Sequence, residues 1–195
     1  MQLPVYNIRF DDLADNRSST GIGDVRAGAR WNFVQDTVVA TVGAAVKFPT
    51  GEFVNDAEIV PVGEGQYDFE VDVEVGRSLW PRPGYVNGKL GYRFRTENKE
   101  NGIDPGDEIF WSFEGGYRWI PNIMFKGLVR GLYGFDAMSF GLPIATLRRE
   151  VIYVEPGVIF AISPTQSIEF TVPVSVRGRN WPAGPILNVG YYQTF

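Results

Sequence analysis

A chain of 195 residues with 18 Lys and Arg against 23 Asp and Glu carries a net charge of −5, which gives no basic footprint for nucleic acid. It has no Cys and no His, which removes disulfides, thiol chemistry, Ser-His-Asp and Cys-His catalysis, and zinc sites of the usual kind. What remains fits one domain, residues 1–195, with a high share of Gly (23) and aromatics (14%).

No window approaches the run of about 18 apolar residues that a transmembrane helix needs. Met1-Gln2-Leu3-Pro4 lacks the basic start and long apolar stretch of a signal peptide, so export would require a leader already removed.

From the start of the chain, apolar residues recur every second position, as they do on the two faces of a strand. Residues 3–10 form a weak first strand with Tyr6, Ile8 and Phe10 on one face. Residues 21–33 set Val25, Ala27, Ala29, Trp31 and Phe33 against Asp24, Arg26, Gly28, Arg30 and Asn32. Residues 37–48 follow, with Val38, Ala40, Val42, Ala44, Val46 and Phe48 on one side. Residues 67–76 oppose Tyr67, Phe69, Val71, Val73 and Val75 to Asp68, Glu70, Asp72 and Glu74. Residues 85–95 oppose Val86, Leu90, Tyr92 and Phe94 to Asn87, Lys89, Arg93 and Arg95.

The second half repeats the period with more noise. Ile109, Trp111, Phe113, Tyr117 and Trp119 oppose Glu108, Ser112, Glu114 and Arg118. Phe125, Val129 and Tyr133 oppose Lys126 and Arg130, although Met124, Leu128 and Leu132 share that polar face. Ile152, Val154, Val158, Phe160 and Ile162 oppose Glu155; Ile168, Phe170, Val172, Val174 and Val176 oppose Glu169, Thr171, Ser175 and Arg177. A last segment runs over residues 184–195. This predicts about ten strands (twelve being the alternative), each near the 9–11 residues that cross a bilayer when tilted. Helical spacing is absent, and Gly or Pro interrupts the windows that could compete.

Alternation alone also describes a soluble sandwich. Two features point to a membrane barrel. Short links at residues 34–36, 81–84, 120–122 and 163–166 alternate with longer ones at 11–20, 49–66, 97–107, 136–149 and 178–183. Short periplasmic turns and long external loops give that rhythm. Aromatics also gather at strand ends, with Trp31, Phe33, Trp80, Tyr117, Trp119, Phe160 and Phe195 toward one rim. Phe48, Tyr67, Phe69, Tyr92, Phe94, Tyr133 and Phe135 fall toward the other. Rings at headgroup level around an aliphatic band form the girdle of such barrels.

The expected fold is therefore a closed, all-β transmembrane antiparallel barrel with both ends of the chain on the periplasmic side. The lumen-lining candidates are Asp68, Glu70, Asp72, Glu74, Lys89, Arg93, Arg95, Glu114, Lys126, Arg130 and Glu169. Pairing about the 81–84 turn would set Asp68 opposite Arg95, Glu70 opposite Arg93 and Glu74 opposite Lys89. Asp24, Arg26 and Arg30 are expected to meet Glu169 or Arg177. Such ladders either select a solute or brace a narrow lumen that side chains can fill. Clustered carboxylates could hold Ca²⁺, but the basic neighbours argue against a metal site.

Gly21-Ile22-Gly23-Asp24, Lys47-Phe48-Pro49-Thr50-Gly51 and Gly63-Glu64-Gly65-Gln66-Tyr67-Asp68 carry a resemblance, as do Leu3-Pro4-Val5-Tyr6 and Glu155-Pro156-Gly157-Val158. The chain resembles the outer-membrane transporter-like barrels named for the meta-pathway of phenol degradation. That resemblance implies a Gram-negative outer-membrane location and passage of small, aromatic or hydrophobic solutes; it supplies no catalytic residues and no cofactor. By themselves, Gly21, Gly23, Gly51, Gly63 and Gly65 read as turn and bulge positions, and Gly28, Gly43, Gly76 and Gly91 as relief for a crowded lumen.

Two functions follow: a channel for small solutes with a narrow charged lumen, or a structural, truncated or engineered barrel with an occluded one. Enzymatic activity is not expected. Membrane lipid or detergent and the barrel-insertion machinery are the expected partners, the latter reading a terminal strand that ends at Phe195. The sequence sets no oligomeric state.

Overall fold

The structure, a computed structural model, describes residues 1–11, 16–53, 60–181 and 184–194. Its wall is one antiparallel sheet of ten strand segments. In chain order these are β3 (Val25–Gln35), β4 (Val38–Phe48), β5 (Asp68–Ser78), β6 (Gly84–Arg95), β8 (Glu108–Ile120), β9 (Ile123–Gly134), β12 (Glu150–Ser163), β13 (Gln166–Thr171), β14 (Val174–Arg179) and β15 (Asn188–Gln193). From β3 to β13 each pairs with its neighbour in this list through short turns at one end and longer connections at the other, and β15 returns to pair with β13. Segments β13 and β14 follow one another along β12, interrupted where fully buried Pro173 removes a ladder donor. Among the described residues the wall therefore has nine strand positions, from β3 to β15.

The one-residue alternation decides which face is which. Val71, Val73, Val75 and Phe113 are roughly half-exposed on the outer face, while Asp68, Glu70 and Asp72 on the same β5 strand are buried inside. That is the reverse of a soluble core and the arrangement of a wall bathed in lipid. Trp111 shares that outer face but is less exposed, because its indole lies across the space at Gly131, its partner on β9. Aromatic contacts follow the two expected rims. At the long-loop end Phe48 meets Tyr67 (6.1 Å) and Tyr92 meets Phe94 (4.6 Å). At the short-turn end Trp31 meets Phe33 (6.2 Å) and Tyr117 meets Trp119 (6.1 Å).

Three expectations are corrected. The first strand does not join the wall: β1 (Val5–Asp11) pairs with β2 (Asn16–Ile22) in a separate hairpin that absorbs most of the presumed 11–20 loop. Consequently residues 1–4 lie at the long-loop end, where Gln2 and Arg26 exchange both backbone hydrogen bonds (2.7 and 3.1 Å). The ring is also open. Among the described residues β3 and β15 form the two free edges, and both run from the long-loop end toward the short-turn end. Finally, the presumed loops at 97–107 and 136–149 contain β7 (Ile103–Asp104), β10 (Ala137–Ser139) and β11 (Leu142–Ile144), which form a small sheet beyond the wall. Phe195, expected to end the last strand, lies outside the described residues.

Apart from a 3₁₀ turn at Ala145–Leu147, no helix occurs among the described residues, and none is long and apolar enough to cross a membrane.

Candidate functional site: the charged lumen

The expected register across β5 and β6 is observed: Asp68 faces Arg95, Glu70 faces Arg93 and Glu74 faces Lys89. The contacts are less local than the register. Arg93 bonds Glu70 (2.8 Å) and Glu108. Arg95 forks to Glu108 (3.1 Å), Asp68 (3.5 Å) and Glu64 (3.2 Å). Lys89 turns from Glu74 to Asp72 (3.4 Å), because Glu74 is already held by Arg30 and Asn87.

Arg26 and Arg30 do not reach Glu169 or Arg177 as expected. Those residues lie on β13 and β14, across the open side of the wall, and the lumen-facing positions of β4 (Thr41, Gly43 and Ala45) are small. The long β3 guanidiniums therefore pass over β4: Arg26 pairs with Glu70, and Arg30 with Glu74 and with Asp72 at 3.4 Å. A side chain at Gly43 would collide with the Asp72 carboxylate, and one at Gly91 with the Phe110 ring, so these two glycines do relieve crowding.

The remaining candidates form a second cluster. Lys126 bridges Glu114 (2.8 Å) and Glu169 (2.7 Å), Tyr85 donates to Glu114, and Arg130 pairs with Glu155 while lying 4.9 Å over the Tyr153 ring. Several carboxylates sit against the wall with a cation lying over them, although Arg95 is buried, and Lys126 nearly so, along with their acids. Glu70 is 4% exposed and Glu108 1%, whereas the Arg30 and Arg130 side chains are 46% and 48% exposed. The chain is acidic overall, but these two guanidiniums offer positive charge to the lumen.

The lining changes in character along the wall. Charge dominates β3 to β6. On β8, β9 and β12 the inward apolar residues Phe110, Met124, Leu128, Leu132, Val151 and Ile159 are interleaved with Glu108, Glu114, Lys126, Arg130 and Glu155. Lys89 and Arg93 sit over the Phe110 ring at 5.6 and 5.5 Å, where β6 meets β8.

At the long-loop end the glycine-containing motifs converge. Asp24 accepts from the backbone N–H groups of Gly51 (3.0 Å) and Glu64 (2.9 Å), and Lys47 bonds Asp68 (2.9 Å) and Glu64. The Thr50 hydroxyl donates to the Gly23 carbonyl (3.1 Å). The Gly51 and Gly63 backbones touch, and a Cβ on Gly51 would lie 2.7 Å from Gly63 Cα. Close approach explains these two glycines, not the turn or bulge role expected of them; among the motif glycines Gly65 alone has a positive φ, +74°. The motifs thus clamp the connection after β4 against the wall and hold Glu64 over the lumen. Glu64, Lys47 and Arg149 were not among the lumen candidates. The repeated Gly-x-Gly spacing around Glu64 was the available signal, but it does not tell which loop it pins.

A family model described as "Putative MetA-pathway of phenol degradation" matches residues 3–189. The chain belongs to that family. An outer membrane channel from Pseudomonas putida F1 superposes with a TM-score of 0.75 at 13% identity, covering 91% of this chain and 68% of that one. None of the curated proteins matches.

Proposed function

We propose that this family member is a channel in the Gram-negative outer membrane that passes small amphipathic organic solutes, and not an enzyme. The observation that carries this reading is the mixed lining of the lumen: charged inward positions on β3 to β6, and on β8, β9 and β12 apolar side chains interleaved with Glu114, Lys126, Arg130 and Glu155. A solute with one polar end and one apolar body gains from both kinds of position, and passage requires that neither hold it tightly. The family membership and the channel fold of the Pseudomonas neighbour support the reading. Passage of aromatic compounds, assistance by the barrel-insertion machinery and a lipid or detergent environment belong to the same proposal.

A scaffold with an occluded lumen is the second reading, favoured by the ion pairs that Arg26, Arg30, Arg93 and Arg95 make across the inner face of the wall. Planar-bilayer recording separates the two. Stable conductance steps that respond to Arg30→Ala or Arg130→Ala support the channel; silence of the folded, inserted protein supports the scaffold.

A further inference from the structure

The connection between β4 and β5 places a carboxylate where three cations meet. Glu64 lies against Lys47, Arg95 Nη2 (3.2 Å) and Arg149 Nη1 (3.0 Å), and also accepts from Gln66 Nε2 (3.2 Å). Lys47 and Arg95 have other carboxylates, Asp68 for both, Asp24 for Lys47 and Glu108 for Arg95. Among the described residues Arg149 pairs with Glu64 and no other acid, and its guanidinium lies 5.9 Å from the Trp181 ring. Beside Glu64 opens a cavity of about 500 Å³ whose lining includes Phe53, Pro61, Ile103 and Leu147 together with the Asn98 and Asn101 side chains.

We propose that this cavity binds a monovalent organic carboxylate and that Glu64 is its built-in competitor. The proposal rests on the channel reading and names its solute class. Three observations carry it. First, the cluster already holds a carboxylate by both oxygens, Arg149 on Oε1 and Arg95 with Lys47 on Oε2, through charge-assisted contacts that would serve that group in any molecule. Second, Glu64 can leave without its backbone moving. Its N–H is held by Asp24 (2.9 Å) and its carbonyl by Asn98 (2.8 Å), while its side chain is 41% exposed. Exchange therefore needs a side-chain rotation alone. Third, the adjoining space suits an apolar body: its volume is within the range of small-molecule pockets, and four apolar residues face the position such a body would take.

Charge selects among anions. With Glu64 withdrawn, the linked ion pairs among the described residues keep five cations (Arg26, Lys47, Arg93, Arg95 and Arg149) and four carboxylates (Asp24, Asp68, Glu70 and Glu108), a deficit that one negative charge makes up. A divalent anion would meet those four carboxylates within the same cluster. The tether also sets affinity. A competitor on the same chain acts at an effective concentration on the order of millimolar, so the solute binds weakly and leaves readily.

Benzoate titrated into the full chain in detergent tests this, read by calorimetry and by the fluorescence change expected from Trp181. Glu64→Ala should tighten benzoate binding by about tenfold, because the competitor is gone. Arg149→Met added to Glu64→Ala should abolish the gain, and benzamide should bind neither protein. Glu64→Gln, which keeps the shape and removes the charge, should show the same gain if Glu64→Ala does not fold. Benzoate binding no tighter in either Glu64 variant, or benzamide binding as well as benzoate, overturns the proposal. Conductance measured on the same samples keeps the two readings apart. Benzoate binding without conductance sinks the channel and leaves the site; conductance with no benzoate binding does the reverse.

Discussion

Glu108 offers the sharpest test of how the lumen is held together. Its side chain is 1% exposed, and its two oxygens are shared between Arg93 and Arg95, the latter at 3.1 Å. Replacing either arginine by Met leaves Glu108 one cation, and the other carboxylates also keep a partner: Glu70 has Arg26, and Asp68 has Lys47 at 2.9 Å. Each single variant thus loses charge-assisted hydrogen bonds without stranding a charge, at a cost of about 1.5–3 kcal/mol. The double variant strands Glu108. The penalty of an unpaired carboxylate at that depth comes on top of the lost hydrogen bonds, so the combined loss should exceed the sum of the singles by about 0.5–3 kcal/mol, the coupling of residues that share one partner. Urea unfolding from detergent micelles or thin bilayers, followed by tryptophan fluorescence, measures all three differences. If the double variant equals the sum of the singles within error, Glu108 is not shared and the ladder is a set of separate pairs. Should the double variant conduct, it should also prefer cations more than the parent does, since two lumen guanidiniums have gone.

Three further outcomes follow from the same geometry. Gly63→Val places a branched side chain where a Cβ already lies 2.7 Å from Asp24 Oδ1, so it should loosen the clamp and expose the 51–66 connection to limited proteolysis; unchanged digestion would count against the clamp. Packing around Glu64 disfavours its charge, but Arg95, Lys47 and Arg149 outweigh that and hold its carboxyl far below the ordinary value of 4.5. Its contribution to stability is therefore complete only above that ordinary value and shrinks progressively as pH falls from there through the much lower folded value. Glu64→Gln should be a constant amount less stable than the parent from pH 7 to about pH 5.5, with a gap that narrows below that yet persists under pH 4; a gap already closed near pH 4.5 would refute the depressed carboxyl. Val73→Arg on the lipid face should impair insertion into bilayers by about 2–4 kcal/mol, whereas a change at lumen-facing Thr41 should not; equal effects would mean the register is off by one residue.

The wall was legible because its evidence is local. On β5 the alternation of Val71, Val73 and Val75 with Glu70, Asp72 and Glu74 gives faces and register without knowledge of any distant residue, and the turn at 81–84 then pairs Asp68 with Arg95. The lumen contacts were less legible because long side chains ignore nearest neighbours. Arg30 spans β4 to reach Glu74, a choice that depends on Gly43 and Ala45 being small as well as on opposite charge. The 3–10 segment misled for a related reason. Its alternation identifies a strand, but strand pattern alone does not name the partner, and β1 pairs with β2 outside the wall. Arg149 lies 85 positions from Glu64, and no periodicity connects residues across such a separation.

The directions of the two free edges carry a rule of parity. Alternating up and down strands close into an antiparallel ring only when their number is even, and this wall has nine positions. Brought together, β3 and β15 would lie side by side pointing the same way. A second copy standing upright in the same membrane would present the same mismatch at both of its seams. Hydrocarbon cannot satisfy the bare edges either, since each unpaired backbone group there costs several kcal/mol. A strand that answers both edges must climb from the short-turn end to the long-loop end. Gln2, locked onto Arg26 at the top of β3, already travels in that direction.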